Sequence, residues 1–416
     1  MARLLLLVLA GCTSAVQIGD TDPVVDPDPE DLCETPANGP EGAFLASGTA
    51  TSGSLDACTT GLHAFAGAAT STVQLAWSGP DATIQVLDLN EAILQTDTVR
   101  DGDAVAYSLE WSGEHLVRVI PDDPEATDYA LTASCVDGCD LVYTRYPLFF
   151  MHGMAGTDSF LDQLDYWYGV TGRLEPLGYA VYTEAVDPFQ SSEVRAAQWA
   201  SHLDAIVATG RARRFNLIGH SQGGIDARYL TSVLDADLRV VSVTTISTPH
   251  RGTALLGIVS GIIDTPGLTG ALVDEMFDAF TSIYDTENDQ DILAQLDTLS
   301  VDTMEAFNAT VLDRPDVRYA SWAGKSCALL DVLCQIGNGG EIVTPLFGAT
   351  QLALTLVEGD NDGLVSVDSA RWGEFLGTLH ADHLDEVGLF PGTTAPGFDH
   401  LQFFEDDAAR LRDLGF

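Results

Sequence analysis

The pattern of apolar and polar residues changes along the chain, and its first regular part is an alternation. Between residues 43 and 140, apolar and polar side chains alternate in short runs separated by turn residues, most clearly at 73–77, 83–87, 115–119 and 129–133. An alternation of this period buries one face of a strand and exposes the other. Several such strands in succession predict a small all-β sandwich over residues 43–140.

From about residue 141 the predicted strands are apolar throughout, and helical stretches separate them. Continuous apolar runs occur at 147–151, 215–218 and 240–246, and a helical pattern runs from Ser192 to Ala208 with Gly210 as its stop. Strands that are apolar on both faces belong to a sheet that helices cover on both sides. Residues 141–416 are therefore predicted to form an α/β domain with a mainly parallel sheet.

The first residues have the pattern of an export signal. Arg3 precedes an apolar run at 4–9 that is too short to span a bilayer, and the run ends in the residues LAGC at 9–12. This ending resembles the lipobox of bacterial lipoproteins, which implies a signal peptide at 1–11 and a membrane anchor on lipidated Cys12. Thr13, which follows in place of an aspartate, favours the outer membrane within that class. The alternative is an ordinary signal peptide with a buried or disulfide-bonded Cys12.

The stretch between this signal and the sandwich is acidic and rich in proline. Residues 12–42 alternate aspartate and glutamate with Pro23, Pro27 and Pro29, which predicts an extended, solvated tether. The sandwich that follows carries no catalytic cluster in its sequence. It is interpreted as a spacer, with a carbohydrate-binding or surface-binding accessory as the alternative.

Charge and cysteine content limit the partners and the compartment. The chain has 416 residues, with 62 acidic against 18 basic residues and a net charge of −44. Such a charge repels nucleic acid and anionic headgroups, so no nucleic-acid partner is expected; adaptation to a saline habitat is an equally good explanation of the charge. Apart from Cys12 the cysteines number an even six, which predicts disulfides in an exported chain: Cys33, Cys58, Cys135, Cys139, Cys327 and Cys334.

A nucleophile motif follows the apolar run at 215–218. Residues 219–223 read G-x-S-x-G between a predicted strand and a predicted helix, the context in which a sharp turn exposes a serine. A serine hydroxyl needs a histidine to accept its proton and a carboxylate to orient that histidine. In chain order, Ser221 is followed by Asp362, which we place at a strand end, and then by His383. The sequence therefore predicts a triad of Ser221, Asp362 and His383, with His380 and His400 as rival bases.

The reaction would also need donors for the negative oxygen of a tetrahedral intermediate. The backbone N–H of Gln222, directly after the nucleophile, is one predicted donor. The other is the N–H of Met154, in the loop after the run at 147–151. His152 and His250 are interpreted as structural residues of their loops.

Together these blocks resemble the true bacterial triacylglycerol lipases, the secreted Pseudomonas and Burkholderia type. The resemblance extends from about Tyr146 to the C-terminus and includes HGMAG at 152–156, GHSQGG at 219–224 and HLDEV at 383–387. It implies an α/β-hydrolase fold and the same roles for Ser221, Asp362, His383, Met154 and Gln222. In many relatives a dedicated foldase is required, so a lipase-specific foldase is a possible partner.

The resemblance also implies a structural Ca²⁺ ion near the loop that carries His383, which we call the histidine loop. Asp385 matches one carboxylate ligand, and the backbone carbonyls of Leu389 and Thr393 match the main-chain ligands. The second carboxylate has no clean match, and the candidates are Glu341 and Asp331. The family's disulfide is also altered here, so that a local Cys327–Cys334 pair is expected in its place.

The substrate depends on the segment at 253–298. Its apolar stretches are interpreted as a helical lid that would open on fat, with ordinary packed helices as the alternative. The sequence thus predicts an exported serine carboxylester hydrolase, with triacylglycerol as the substrate that the resemblance implies. A short-chain esterase or an acyltransferase would use the same triad, and a non-catalytic surface-binding lipoprotein is the alternative from another class.

Overall fold

The chain divides into antiparallel sheets near the N-terminus and one parallel sheet in the rest. The structure is a computed structural model that describes residues 37–41, 43–123, 125–154, 166–259, 298–389 and 394–416. Its first nine strands are β1 (Ala37–Glu41), β2 (Thr51–Leu55), β3 (Thr59–Gly67), β4 (Thr72–Ser78), β5 (Ala82–Leu87), β6 (Ile93–Val99), β7 (Ala104–Ser108), β8 (Gly113–Pro121) and β9 (Thr127–Asp137).

These strands form two sheets that face each other. One has the order β1-β3-β8-β5-β6 and the other the order β2-β9-β4-β7. The alternating residues of both sheets point into one shared core, in which Phe65 and Val117 of the first sheet meet Leu75, Trp77 and Leu131 of the second. The alternation in the sequence therefore becomes the inner and outer faces of a sandwich.

One strand lies where the sequence predicted only a tether. β1 occupies residues 37–41, at the end of the segment 12–42, and pairs in parallel with β3 at the edge of the first sheet. Its register is irregular between Asn38 and Glu41, next to Pro40. An edge strand tolerates a proline because one side of its backbone has no ladder partner. The prediction of a tether was therefore wrong for these five residues.

The rest of the chain is built on a six-stranded parallel sheet. Its strand order is β11-β10-β12-β13-β14-β15, and every neighbouring pair is parallel. The central strands are fully buried because helices cover both faces, which explains their uninterrupted apolar sequences. The strands are β10 (Leu148–Met151), β11 (Val181–Tyr182), β12 (Phe215–His220), β13 (Val240–Ile246), β14 (Arg318–Gly324) and β15 (Glu374–Leu379).

Helices of very different length connect these strands. The predicted helix over Ser192–Ala208 is observed with those bounds, and Gly210 follows it with a φ of 75°. The α-helices are α1 (Val170–Leu174), α2 (Ser192–Ala208), α3 (Gln222–Tyr229), α4 (Leu255–Val259), α5 (Val301–Thr310), α6 (Val332–Gly337), α7 (Gly348–Val357), α8 (Val367–Ala370) and α9 (His400–Asp413). Short 3₁₀ turns occupy Glu175–Leu177, Pro345–Phe347 and Asp385–Val387, and a π-helical turn occupies Leu230–Leu234.

The sandwich contacts the α/β part at the end of α2. Asn90 donates through Nδ2 to the carbonyl of Val207, at 3.1 Å, and the N–H of Leu89 donates to the carbonyl of Gly210. An ion pair between Arg145 and Glu114 joins the two parts a second time. A carbonyl in the last turn of α2 and one just after the helix thus accept hydrogen bonds from the sandwich.

The predicted fold class is confirmed, with an α/β-hydrolase sheet preceded by antiparallel all-β sheets. Of the segment 253–298 that was interpreted as a lid, only residues 253–259 and 298 belong to the described part, and they include α4. The signal peptide, Cys12 and Thr393 lie outside the described residues. Within the described residues, no helix is long and apolar enough to cross a membrane.

Candidate active site

Ser221 lies in a sharp turn between β12 and α3. Its φ of 55° and ψ of −130° are strained for a residue with a side chain, and strain of this kind is typical of functional turns. The N–H of Ser221 donates to the carbonyl of Ile246 at 2.9 Å, and the hydroxyl of Thr248 donates to the carbonyl of Ser221 at 2.8 Å. The neighbouring strand and its loop therefore hold the backbone of the turn in place.

The glycines of the motif are required by close packing. A Cβ at Gly219 would lie 2.6 Å from the Cα of Gly224, and a Cβ at Gly223 would lie 2.1 Å from the carbonyl oxygen of Met151. A side chain at Gly219 would displace the start of α3, and one at Gly223 would push the turn away from β10. The motif therefore brings Ser221 close to the loop that follows β10.

The structure brings Asp362 and His383 together. The Nδ1 of His383 and the Oδ2 of Asp362 are 2.7 Å apart, and both residues are buried. The other oxygen of Asp362 accepts the N–H groups of Leu364 and Val365 at 2.9 and 2.7 Å. The carboxylate is therefore fixed on one side by backbone donors and aimed on the other at the histidine ring.

Asp362 was expected at a strand end, but the structure does not place it at one. It lies in the loop between α7 and α8, where Asn361 and Ser366 form a single isolated bridge outside the sheet. A short run of apolar residues after an acidic turn looks the same in sequence whether or not a strand forms. The prediction of the position was wrong, whereas the proximity of Asp362 to His383 is observed.

The histidine next to the nucleophile also contacts this pair. His220 directly precedes Ser221, and its ring centroid is 4.5 Å from that of His383. The rivals lie elsewhere: His380 is exposed, and the Nε2 of His400 is 2.8 Å from the carbonyl oxygen of Tyr168. Of the histidines considered for the base, His383 is the one that contacts Asp362.

The predicted oxyanion donor Gln222 and the loop that carries Met154 both adjoin Ser221. Gln222 follows it as the first residue of α3. On the other side, Gly153 is so near that a Cβ there would lie 2.7 Å from the Cβ of Ser221. Met154 comes next in the chain and packs with its side chain against the cluster around Ile225. The loop after β10 therefore runs beside the serine.

A buried arginine holds this loop from behind. The Nη2 of Arg195 donates to the carbonyls of His152 and Gly153 at 2.5 and 3.2 Å, and its Nε donates to Asp226 at 2.7 Å. Burial raises the pKa of Asp226, and the charge of Arg195 opposes that shift. The sequence analysis missed this pair. Its signal is Arg195 itself, which lies in the buried stripe of α2 beside Ala196.

His152 is fixed in the same loop by its neighbours. Its Nδ1 lies 2.8 Å from the carbonyl of Gly153, and its Nε2 accepts the N–H of Val186 at 3.1 Å. Burial, followed by the charge of Arg195, lowers the pKa of His152 to about 3. These contacts are those of a structural residue.

A second buried network lies beneath Ser221 and His383. The Nδ1 of His220 is 2.6 Å from the Tyr166 hydroxyl, and its Nε2 is 3.1 Å from the carboxyl of Glu386. The hydroxyl of Ser247 donates to Glu386 at 2.6 Å. Burial and then the charge of His383 lower the pKa of His220 well below its usual range, and burial and then Asp362 raise that of Glu386. Both shifts disfavour charged forms of these two side chains. The pairing of His220 with Glu386 could not be predicted, because the two residues are far apart in the chain.

A cluster of carboxylates lies on the outer side of the histidine loop. One oxygen each of Glu341, Asp382 and Asp385 lie within 4.8 Å of one another. Of the two candidates for a second carboxylate, the structure therefore brings Glu341 to Asp385. Asp331 lies elsewhere, because it caps α6 by accepting the N–H of Cys334. Asp382 was missed, although it directly precedes His383.

The electrostatics of this cluster fit a hard cation. Burial, followed by repulsion from Asp382, raises the pKa of Glu341 to about 8 and that of Asp385 to about 7. The Oε1 of Glu341 is buried and has no hydrogen-bond partner among the described residues, whereas Asp382 accepts three backbone N–H groups, those of Thr344, Leu384 and Asp385. Oxygen donors that repel one another, one of them unpaired, are the set that Ca²⁺ prefers.

Two disulfides are present among the described residues. Cys327 pairs with Cys334, as expected for a local replacement of the family's bridge, and Cys135 pairs with Cys139. The first closes a loop directly after β14, and the second closes the end of β9. The inference of disulfides from an even number of cysteines is therefore confirmed.

The chain is similar to known hydrolases over most of its α/β part. Residues 147–291 match the family model described as palmitoyl protein thioesterase. A triacylglycerol lipase of Pseudarthrobacter phenanthrenivorans is 31% identical over 291 residues, which cover 60% of this chain and 90% of that protein. A triacylglycerol lipase of Burkholderia plantarii is also 31% identical over 291 residues, covering 60% of this chain and 80% of the relative.

Two solved structures are similar to this chain at low sequence identity. A metagenomic carboxyl esterase is 16% identical with a TM-score of 0.49, covering 67% of this chain and 79% of that one. The structure of EstA from Clostridium botulinum is 20% identical with a TM-score of 0.47, covering 65% of this chain and 88% of that one.

Fold and relatives together define a hydrolase of the α/β-hydrolase class. Within that class the chain belongs to the bacterial triacylglycerol lipase family.

Proposed function

We propose that this protein is a serine carboxylester hydrolase, and specifically a triacylglycerol lipase, that acts through Ser221, His383 and Asp362. The observation that carries the proposal is the 2.7 Å contact between His383 and Asp362, beside the strained turn that presents Ser221. The lipase relatives support the substrate class, because their names specify triacylglycerol.

In the first half of the reaction, Ser221 attacks the carbonyl carbon of the ester. Its Oγ forms the new bond to carbon, and the Nε2 of His383 takes its proton. Asp362 holds the Nδ1–H of His383, which fixes the tautomer with a free Nε2 and stabilises the imidazolium that forms. The bond to the alcohol then breaks, and the alcohol leaves with the proton from His383.

In the second half, water repeats these steps on the acyl-enzyme. His383 takes a proton from water, the hydroxide attacks the acyl carbon, and Ser221 leaves with the proton as the fatty acid is released. In both halves the negative oxygen accepts hydrogen bonds from the N–H groups of Gln222 and Met154. Arg195 contributes by fixing the two carbonyls that precede Met154.

Hydrolysis of two esters by the wild type and by Ser221→Ala tests this function. The substrates are p-nitrophenyl butyrate in solution and emulsified triolein, and turnover of both is expected to disappear in the variant. Activity on butyrate alone would favour the short-chain esterase, and transfer of the acyl group to an added alcohol in preference to water would favour the acyltransferase. A folded wild type without activity on either substrate would contradict the proposal and favour a non-catalytic lipoprotein.

We further propose a structural Ca²⁺ ion held by Glu341, Asp385 and the backbone carbonyls of Leu389 and Thr393. The unpaired Oε1 of Glu341 and the raised pKa values of both carboxyl groups support it. Bound there, the ion would neutralise the carboxylates and stabilise the loop that carries His383. Asp382, whose oxygens accept backbone N–H groups, would orient the loop.

The proposed location of the enzyme is the bacterial outer membrane or cell surface, with Cys12 as its lipid anchor. The LAGC ending of the signal sequence supports this proposal. Metabolic labelling with a palmitate analogue is expected to mark the wild type and not Cys12→Ser. Co-expression with a lipase foldase, compared with expression alone, tests whether the chain requires that partner.

A further inference from the structure

The loop closed by the Cys327–Cys334 disulfide exposes apolar side chains to solvent. Four apolar side chains inside this loop and one just after it are between 59% and 91% exposed, and we call this set the loop patch: Leu329, Leu330, Val332, Leu333 and Ile336. Single exposed apolar residues are common on soluble proteins, whereas five within eight positions mark a contact surface.

Polar side chains in this loop and directly after it form hydrogen bonds with the backbone of the same segment. The Nε2 of Gln335 donates to the carbonyls of Ala328 and Leu329 at 2.9 Å each. Asp331 accepts the N–H of Cys334 at 3.0 Å, and Asn338 donates to the carbonyl of Lys325 at 2.7 Å. These hydrogen bonds and the disulfide stabilise the backbone of the segment. We call this stabilised segment the support, and it holds the apolar side chains toward solvent.

This support is attached to the histidine loop of the proposed active site. The N–H of Cys327 donates to Glu341 at 2.7 Å, and the N–H of Thr344 donates to Asp382, the residue before His383, at 2.6 Å. The loop also starts just after β14, at the carboxyl edge of the sheet where Ser221 follows β12. The loop patch and Ser221 therefore belong to the same edge of the sheet.

The charge around the loop patch favours an uncharged partner. Within residues 327–357 there are two charged residues, Asp331 and Glu341, and the second is buried, whereas 19% of the whole chain is charged. No lysine or arginine occurs in this stretch, so nothing in it would attract anionic headgroups. Within the same stretch, α7 exposes Leu352 and Leu356, four residues apart on one helical face.

We infer that the loop patch docks the enzyme on the uncharged surface of aggregated ester substrate, with the side chains of Leu330 and Leu333 entering the lipid. This inference rests on the proposed lipase function, because it names the surface that supplies substrate to Ser221. Apolar side chains that leave water for lipid gain free energy in proportion to their buried area. Docking in this way holds the active-site edge of the sheet against the lipid.

Flotation with triolein droplets tests the inference without any need for catalysis. The chain carries Cys12→Ser, which removes the anchor, and Ser221→Ala, which prevents hydrolysis. Leu330→Ser with Leu333→Ser is compared with a matched control, Ile93→Ser with Leu312→Ser, whose side chains are 57% and 68% exposed outside the loop patch. The fraction bound to droplets is expected to fall about tenfold or more in the first variant, and to stay at the parent level in the control.

The same substitutions in the active enzyme separate docking from chemistry. Hydrolysis of dissolved butyrate is expected to be unchanged, whereas hydrolysis of emulsified triolein falls with droplet binding. Equal flotation of the variant and its parent would overturn the inference, and so would a parallel loss of butyrate turnover. If no protein hydrolyses either ester, the proposed function fails while the flotation result still decides the docking.

Other occupants of the loop patch give different results. A dimer that sedimentation detects in the parent and not in the variant, with unchanged flotation, would assign the surface to a second copy. Faster cleavage of the variant by Glu-C protease within residues 260–297, again with unchanged flotation, would assign it to that segment of the chain. Binding to anionic phosphatidylglycerol vesicles that exceeds binding to triolein would overturn the choice of an uncharged surface.

Discussion

The sandwich and the α/β part bury different kinds of side chain. In the described residues of 43–140, no aspartate, glutamate, lysine or arginine is buried, and the two buried histidines, His63 and His115, pack against aromatic rings. The α/β part buries many charged residues: Arg195, Asp226, Arg228, Asp235, Arg239, Glu341, Asp362, Asp382, Glu386 and Asp407. Both parts also have large apolar cores, one main cluster in the sandwich and two in the α/β part.

The difference shows where this chain tolerates an energetic cost. Removing a charge from water is unfavourable unless partners replace the lost hydration. In the α/β part, four of these groups lie against the proposed site. Arg195 and Asp226 lie behind the loop after β10, which we call the oxyanion loop. Asp362 and Glu386 lie around His383. Among its described residues, the sandwich has no such buried charged groups. Substitutions of buried residues should therefore lower activity strongly in the α/β part and lower only stability in the sandwich.

The largest effect is expected at Asp362. Asp362→Asn preserves the shape of the side chain but removes the charge that holds the His383 tautomer, and kcat is expected to fall by about 10⁴-fold. The assay is butyrate hydrolysis, with Asp360→Asn as the control, because Asp360 is an exposed acid two residues away that pairs with Lys325. Retention of a tenth or more of the activity in Asp362→Asn would exclude Asp362 from the triad.

The next effect is expected at the buried arginine. Arg195→Met frees the carbonyls of His152 and Gly153 and leaves Asp226 without its charged partner. We expect kcat to fall by about 10²-fold with little change in KM, because an oxyanion donor acts on the transition state. We also expect a loss of about 3 kcal/mol in the free energy of unfolding.

A double variant separates these two consequences. Arg195→Met with Asp226→Asn removes the unpaired charge, so that stability should largely return while kcat stays low. The measurements are the thermal midpoint and the KM and kcat for butyrate. If activity returned together with stability, Arg195 would act on folding and not on the oxyanion loop.

Removal of calcium comes third and should separate the two parts of the molecule. Chelation is expected to lower the Tm of the α/β part by about 5 °C, because a ligand that binds only the folded state stabilises it by mass action. Hydrogen exchange measured by mass spectrometry should show faster exchange at residues 382–389 and unchanged exchange in β8 and β9. Glu341→Gln should abolish the response to the chelator, and Asp331→Asn should keep it. A chelator response that survives Glu341→Gln would contradict the proposed site.

The smallest effect is expected in the sandwich and depends on pH. Burial lowers the pKa of His115 to about 4, and its Nε2 has no hydrogen-bond partner in the part of the chain that the structure describes. The folded state thus binds fewer protons than the unfolded state between pH 6.5 and 4. The contribution of neutral His115 to the free energy of unfolding is complete above pH 6.5 and is lost as the pH falls through 4. The loss amounts to about 2 kcal/mol at pH 4.5.

His115→Phe is expected to remove this pH dependence. The ring of His115 stacks on Trp111 with a centroid distance of 4.0 Å, and phenylalanine preserves a flat ring there. Hydrogen exchange in β8, followed from pH 7 to pH 4.5, isolates the sandwich from the buried histidines of the α/β part. An unchanged pH profile in the variant would contradict the assignment, and esterase activity at pH 7 should not change.

Much of the fold was predictable because its signals are local. The period-two runs became sandwich strands, the continuous apolar runs became β10, β12 and β13, and the helix Ser192–Ala208 was found with its predicted bounds. The turn around Ser221 was also predictable, since its glycines follow from steric contact within a few residues. Two expectations failed at places where local sequence is ambiguous: the edge strand β1, and the loop position of Asp362.

The sequence by itself determined which residues have the chemistry, and tertiary structure decided which of them meet. Ser221, Asp362 and His383 could be selected by type and order, because side-chain chemistry and chain order are properties of the sequence. The contacts of Arg195 with the oxyanion loop, of His220 with Glu386 and of Glu341 with the histidine loop join residues that are far apart in the chain. Such contacts depend on how strands and helices pack in three dimensions, so they cannot be predicted from the spacing of residues in the sequence.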